Sequence, residues 1–342
     1  MSNKPEIYGF DNARSKWPTV HKEDFENTKE AINDLSNFLR ILLPSLLPTN
    51  WKTILPSPFT SEINTICYGN GIFVASGYLT VGKRGVAYST DGLNWTPVDY
   101  NPAGSLNSIA YGNGRFVGGA YSVCYSDDGI HWSKAEQSIF GSKNLRSICY
   151  GDGKFVAVGD GGVIGYSTDG ITWYSNSNTQ SVFPSNINLA SVCYGNGKFV
   201  AIGGNNYMGY STDGITWNSI TQSVLPGNSS IQDITYGNGK FVAVNLSGQI
   251  AYSTDGTNWN AGPNYSSYDW RAVYYGDGRF ILSASGGKMK GSTDGINWTE
   301  ITQSIIGSSG LVKALCYGNG MYIMGEYYKG GLAYCKMALP EV

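Results

Sequence analysis

Tyr150-Gly151-Asp152-Gly153-Lys154-Phe155-Val156, followed eleven residues on by Ser167-Thr168-Asp169-Gly170-Ile171-Thr172-Trp173, is the stretch that decides how this chain folds. The first motif returns at Tyr68, Tyr111, Tyr194, Tyr236, Tyr275 and Tyr317, at intervals of 39 to 44 residues. The second returns at Ser89, Ser126, Ser211, Ser253 and Ser292, with Asp, Gly and Trp in register each time. A period near forty reads as a ring of repeats with four short strands in each. Asn-Gly or Asp-Gly between alternating apolar runs marks a two-residue hairpin, because both turn positions need positive φ. Residues 145–150 and 154–158 then form two strands, 163–167 a third, and a fourth begins at Trp173.

In the Ser-x-Asp-Gly-x-x-Trp turn the chemistry is local. The Ser and Asp side chains bond to the backbone of their own turn. The Gly supplies a left-handed conformation and the Trp buries a large surface. Asp91, Asp128, Asp169, Asp213, Asp255 and Asp294 are therefore read as structural. The turns resemble the Asp-box repeat of sialidase-type (BNR) β-propellers, over residues 62–335. That resemblance implies fold rather than activity, since such turns are structural in enzymes and lectins alike.

Seven copies of the Tyr motif stand against six Asp turns. The last unit runs out after three strands. Upstream of the first unit, Thr49-Asn50-Trp51-Lys52-Thr53-Ile54 looks like Asn94-Trp95-Thr96-Pro97-Val98 stripped of its Asp turn. The expected fold is all-β: a seven-bladed propeller over residues 49–339, its last blade closed by an outer strand from about 49–56. Closure from the opposite terminus removes the open edge of the circle.

Residues 1–21 read as an extended attachment arm and 22–43 as an amphipathic helix. Phe25, Ile32 and Leu39 recur at seven, with Thr28, Leu35 and Leu42 at the other seam position. Such a seam suits self-association, with a trimer favoured. Three heptads alone are marginal in water, so further contacts would be needed.

A net charge of −2 offers no field for nucleic acid. The start, Met1-Ser2-Asn3-Lys4-Pro5-Glu6, lacks a secretory signal, and no run of eighteen apolar residues occurs. The expectation is manufacture in the cytoplasm without membrane insertion. Cys67, Cys149, Cys193 and Cys316 occupy one repeat position, which makes them buried strand thiols on different blades rather than disulfide partners. With His21 and His131 the only histidines, no metal site or cofactor is expected.

Recognition is expected on the face that carries the second turn of each blade, where the copies diverge. Its candidates are Tyr78, Tyr121, Tyr207 and Tyr327 on the turns, and Trp270 on a link between blades. A second set follows the third residue of the innermost strand: Asn64, Asn107, Arg146, Ala190, Gln232, Arg271 and Lys313. Arg146, Arg271 and Lys313 would bring positive charge to the mouth of a central channel, suited to a carboxylate or phosphate.

The layout of arm, helix and terminal disc resembles phage tail-fibre or receptor-binding proteins. It implies a non-enzymatic tip protein of a phage tail or phage-like particle. Such a tip would bind a cell-surface glycan or receptor and dock on a tail or baseplate protein through residues 1–43. Two alternatives stand beside it. One is a sialidase-like glycoside hydrolase, for which no convincing pair of carboxylates can be assembled, so no catalytic residue is assigned. The other is a structural protein–protein hub of the same particle.

Overall fold

The computed structural model describes residues 47–336, apart from position 100 and the stretches 136–138, 176–177, 222–224, 226–229, 303–304 and 308. The arm and helix read over 1–43 lie outside the described residues.

The described strands form seven four-stranded antiparallel sheets, six of them in simple chain order. Each sheet is a blade, with its innermost strand at the axis. These strands are Phe59–Gly69, Ser108–Gly112, Leu145–Gly151, Leu189–Gly195, Ile231–Gly237, Trp270–Gly276 and Val312–Gly318, in blades one to seven. Neighbouring innermost strands touch all the way round, including the first against the seventh, so the ring is closed. The seventh blade takes its outer strand from the other end of the chain. Lys52–Ile54 pairs antiparallel with Leu332–Lys336, Lys52 opposite Tyr334 and Ile54 opposite Leu332.

The first turn of each blade has the conformation its residues demand. Asn70, Asn113, Asp152, Asn196, Asn238, Asp277 and Asn319 all take φ between 42° and 48°, and each is followed by a glycine with positive φ. This is the mirror-image turn that matches the twist of the flanking strands.

The glycine before each turn has a separate reason. A Cβ on Gly151 would stand 2.0 Å from Cγ of Tyr194, and one on Gly195 equally close to Tyr236. Each motif Tyr thus lies against the backbone of the preceding blade, and only a residue without a side chain admits it.

The Asp turns are wired internally. Asp169 Oδ1 accepts from Ser167 Oγ at 2.9 Å and from the amides of Ile171 and Thr172, both at 2.8 Å. Gly170 N donates to Ser167 Oγ, and Trp173 Nε1 donates to the Gly170 carbonyl. The Ser–Asp and Asp–amide bonds recur in the other five turns. With these bonds made, the Trp enters the core between blades. Trp132, Trp173, Trp217 and Trp259 are buried there beside Phe116, Phe155, Phe199 and Phe241. Each fully buried ring contributes about 2–3 kcal/mol before entropy is counted. The core is divided into seven clusters rather than one. The six cysteines are free thiols.

Candidate functional site

The divergent residue on the innermost strand owes its place to a bulge. In the third blade the ladder pairs Leu145 with Gly159 and then Ser147 with Val158, so Arg146 is skipped. The same irregularity passes over Ala190, Gln232, Arg271 and Lys313. A bulged residue leaves the in–out alternation of its strand, which is how a sheet turns one side chain towards a site.

These side chains meet. A cavity of about 320 Å³ at the channel mouth is lined by Arg146, Ala190, Gln232, Arg271 and Lys313, with Asn107 and Asn144 beside them. Leu311, Tyr327 and Tyr328 of the seventh blade complete it. Asn64 does not take part: it is buried, donating to Ser105 Oγ at 2.7 Å.

The three cations are held differently. Arg146 Nε donates to Asp160 Oδ1 at 2.5 Å. Arg271 donates to Asp269 Oδ2 from Nε at 3.2 Å and from Nη2 at 3.1 Å. Asp269 is in turn fixed by the amide and hydroxyl of Ser285. Both guanidiniums are therefore oriented, with spare N–H groups. Among the described residues Lys313 has no carboxylate within ion-pair distance, and its Nζ lies 5.0 Å from the centre of the Tyr327 ring. Lys313 keeps accessible surface in the channel, yet desolvation lowers its pKa, and Arg146 and Arg271 push the same way. Glu62 and Asp233 oppose that shift. An anion entering the cavity would relieve this crowding of like charge.

Tyr327 and Tyr328 stand edge to face, 5.3 Å between ring centres, and Tyr328 is 55% exposed. Gln232 donates to the Ser230 carbonyl and Asn107 to Asn144 Oδ1. Among the described residues no carboxylate lines the cavity. Asp233, next to Gln232, serves the scaffold instead. It accepts from Ser191 Oγ at 2.8 Å, Ile234 N at 2.9 Å and Val273 N at 2.9 Å, tying the fourth, fifth and sixth blades together. Burial raises its pKa to about 6 in spite of those bonds.

The other expected site residues fall elsewhere. Trp270 is corrected outright: it is 0% exposed, stacked on Tyr268 at 4.8 Å and bonded through Nε1 to the Gly248 carbonyl. A link residue at the start of an innermost strand has a neighbouring blade on either side, and a large apolar ring is buried there. Tyr78 is half-buried with its hydroxyl on the Gly82 carbonyl. Tyr121 is 70% and Tyr207 37% exposed on their second turns, and neither lines the cavity. Tyr328, on the same divergent second turn as Tyr327, lines it as well. Asn144 and Leu311 line it without having been singled out; they sit just ahead of the bulge, and only the ladder irregularity would have marked them. Among the described residues no group of three His, Cys, Asp or Glu is placed to hold a metal.

No protein-family model matches the chain, and no curated protein is similar to it in sequence. Solved propellers are similar in structure. YCF48 bound to a D1 peptide superposes with TM-score 0.65 at 16% identity, over 87% of this chain and 98% of that one. YCF48 from Cyanidioschyzon merolae gives 0.62 at 17%, over 84% and 98%. A catalytically inactive virginiamycin B lyase from Staphylococcus aureus with quinupristin gives 0.70 at 12%, over 84% and 99%. One neighbour is an enzyme and another a peptide-bound propeller, and at such identities the likeness is one of fold. The chain is a seven-bladed β-propeller of four-stranded antiparallel blades.

Proposed function

We propose that this propeller is a non-enzymatic recognition protein that holds a carboxylate-bearing sugar at the mouth of its central channel. One observation carries the reading: Arg146, Arg271 and Lys313 converge on a single cavity whose rim is Tyr327 and Tyr328. Guanidinium forks suit a planar carboxylate, and aromatic rings suit the apolar face of a sugar. Among the described residues the cavity lining holds no carboxylate, which speaks against hydrolysis by a carboxylate pair. The six turns resemble Asp boxes, and the chain's layout resembles a tail-tip receptor-binding protein, docked through residues 1–43 and used in several copies. Weak single sites gain strongly from such multiplicity.

The test is a glycan array probed with the full-length protein, followed by titration of the positive sugars. Binding confined to carboxylated glycans, weakened by salt and lost in Lys313→Ala, supports the reading. A blank array at multivalent display overturns it, and turnover of a fluorogenic sialoside overturns its non-enzymatic part.

A further inference from the structure

The surroundings of the cavity carry the reading further. Among the described residues six large apolar side chains are exposed: Leu55, Val81, Tyr121, Tyr174, Tyr207 and Tyr328. Tyr174 sits on an outermost strand; the topology puts the other five at the end of the blades that holds the second turns and the cavity. Among the described residues, the same end carries lysines with no carboxylate within ion-pair distance. Lys83, Lys143 and Lys288 reach backbone carbonyls, of Asp99, Gly161 and Ser267, at 3.3–3.4 Å, and Lys288 also stands over the Tyr268 ring at 4.5 Å. The opposite end carries the aspartates of the turns, from Asp91 to Asp294. A chain of net charge −2 therefore presents an aromatic, cationic surface around the cavity.

The bulge position is small in one blade only. It is Ala190 in the fourth, where its counterparts are Asn, Arg, Gln or Lys. The second turn of that same blade ends in Tyr207. The fourth blade stands nearly opposite the seventh in a ring of seven, and the seventh carries Lys313, Tyr327 and Tyr328. An aromatic ring, a gap in the wall, the cavity and a second aromatic pair thus fall along one diameter.

Resting on the reading above, we propose that the ligand is a linear carboxylated polysaccharide. It lies across this face from Tyr207, over Ala190, through the cavity to Tyr327 and Tyr328. One uronate sits among Arg146, Arg271 and Lys313, and neighbouring sugars stack on the rings to either side. The ring of Tyr207 stands on the second turn, outward of the innermost strand, and does not line the cavity. Length is then what recruits it. Lysines spread around the mouth favour a repeated charge over a single one, and their contribution is screened by salt.

The test is calorimetric titration of the full-length protein with galacturonic acid and its linear oligomers up to the hexamer, with cello-oligosaccharides as neutral counterparts. Affinity for the uronates rises with length, the hexamer binding at least about tenfold tighter than the monomer, as one added ring contact would give. Tyr207→Ala reduces that ratio, and so does Ala190→Trp, which fills the gap. Tyr174→Ala, with a more exposed ring far from the track, does not. Equal affinity for monomer and hexamer overturns the extended track while leaving the single-sugar site standing. A ratio untouched by Tyr207→Ala and Ala190→Trp likewise rules out this path. No binding of any uronate removes the reading on which the inference rests.

Discussion

The phenol ring of Tyr68 lies against the backbone of Gly318, so that a Cβ built there would stand 2.2 Å from Tyr68 Cγ. This pair joins the last blade to the first, and it is the same contact that joins Gly69 to Tyr111 and Gly237 to Tyr275. Gly318→Ala should lower stability by about 1–3 kcal/mol, the usual cost of overfilling a packed site. Tyr68→Ala should cost less in that variant than in the wild type, since the two changes share one contact. Chemical denaturation of the two single variants and the double checks this; strict additivity would mean that the contact is not the cause.

The closing strand is pinned by Trp51, which is buried, donates through Nε1 to the Pro48 carbonyl at 2.7 Å and packs against Tyr322. Trp51→Ala is expected to cost about 3–5 kcal/mol, as large aromatic truncations do. Removing residues 1–56 should lower the melting temperature further. An unchanged melting curve would show the ring closed by other means.

The Asp turns fix the acid limit of stability. In Asp91 the Asn94 amide is the largest cause of a pKa held well below the usual range. In Asp128, Asp169, Asp213, Asp255 and Asp294 burial acts upwards, but the bonds from amides and side chains outweigh it, leaving Asp294 at about 2. A carboxylate with a depressed folded pKa stabilises above its unfolded value near 4, and that stabilisation is lost as pH falls through the folded one. Stability should therefore decline between about pH 4 and pH 2, and Asp294→Asn should shallow the slope. Denaturant midpoints measured across that range give the answer.

Asp233 works in the other direction. Its pKa, raised by burial to about 6, makes the folded state take up a proton more readily than the unfolded chain. This contribution is complete below about pH 4 and is lost as pH rises through about 6. Asp233→Asn should remove that component. It should also destabilise by about 1–3 kcal/mol at neutral pH, because the new amide cannot accept from the Val273 N–H. Carboxyl resonances followed by NMR would show a titration near 6 in the wild type alone.

Affinity for anions should follow Lys313. Its pKa is lowered by desolvation and then by Arg146, so the ammonium is lost at a lower pH than an ordinary lysine loses its charge. Binding of a uronate should be steady near neutrality and weaken as pH rises towards that value. Arg146 and Arg271 stay charged and retain a remainder. In Lys313→Ala the alkaline decline should vanish, which titrations at several pH values would reveal.

The repeat, the hairpins and the local role of the Asp turns were legible because each is written in residues a few positions apart. So was the borrowed outer strand, from a count of motifs that did not match. The first Gly of Tyr-Gly-Asn-Gly reads from sequence as part of the turn, whereas its partner is a Tyr some forty residues away. The bulge that turns Arg146 and Lys313 towards the channel leaves no local signature, since it depends on how two strands register. Trp270 looked like a surface ring because a link between blades reads as a loop; its burial is decided by neighbours on both sides.

Both ends of the ring meet in one sheet, with antiparallel sense. Lys52 and Tyr334 therefore lie at the same edge, and strain on the two ends of the chain would peel the pairing open one rung at a time rather than slide it. Three pairs of residues span that joint, where the outermost strand of five other blades is held by two. Local openings of a fold begin where the fewest bonds must break together, so those short outer strands should fray before the circle parts.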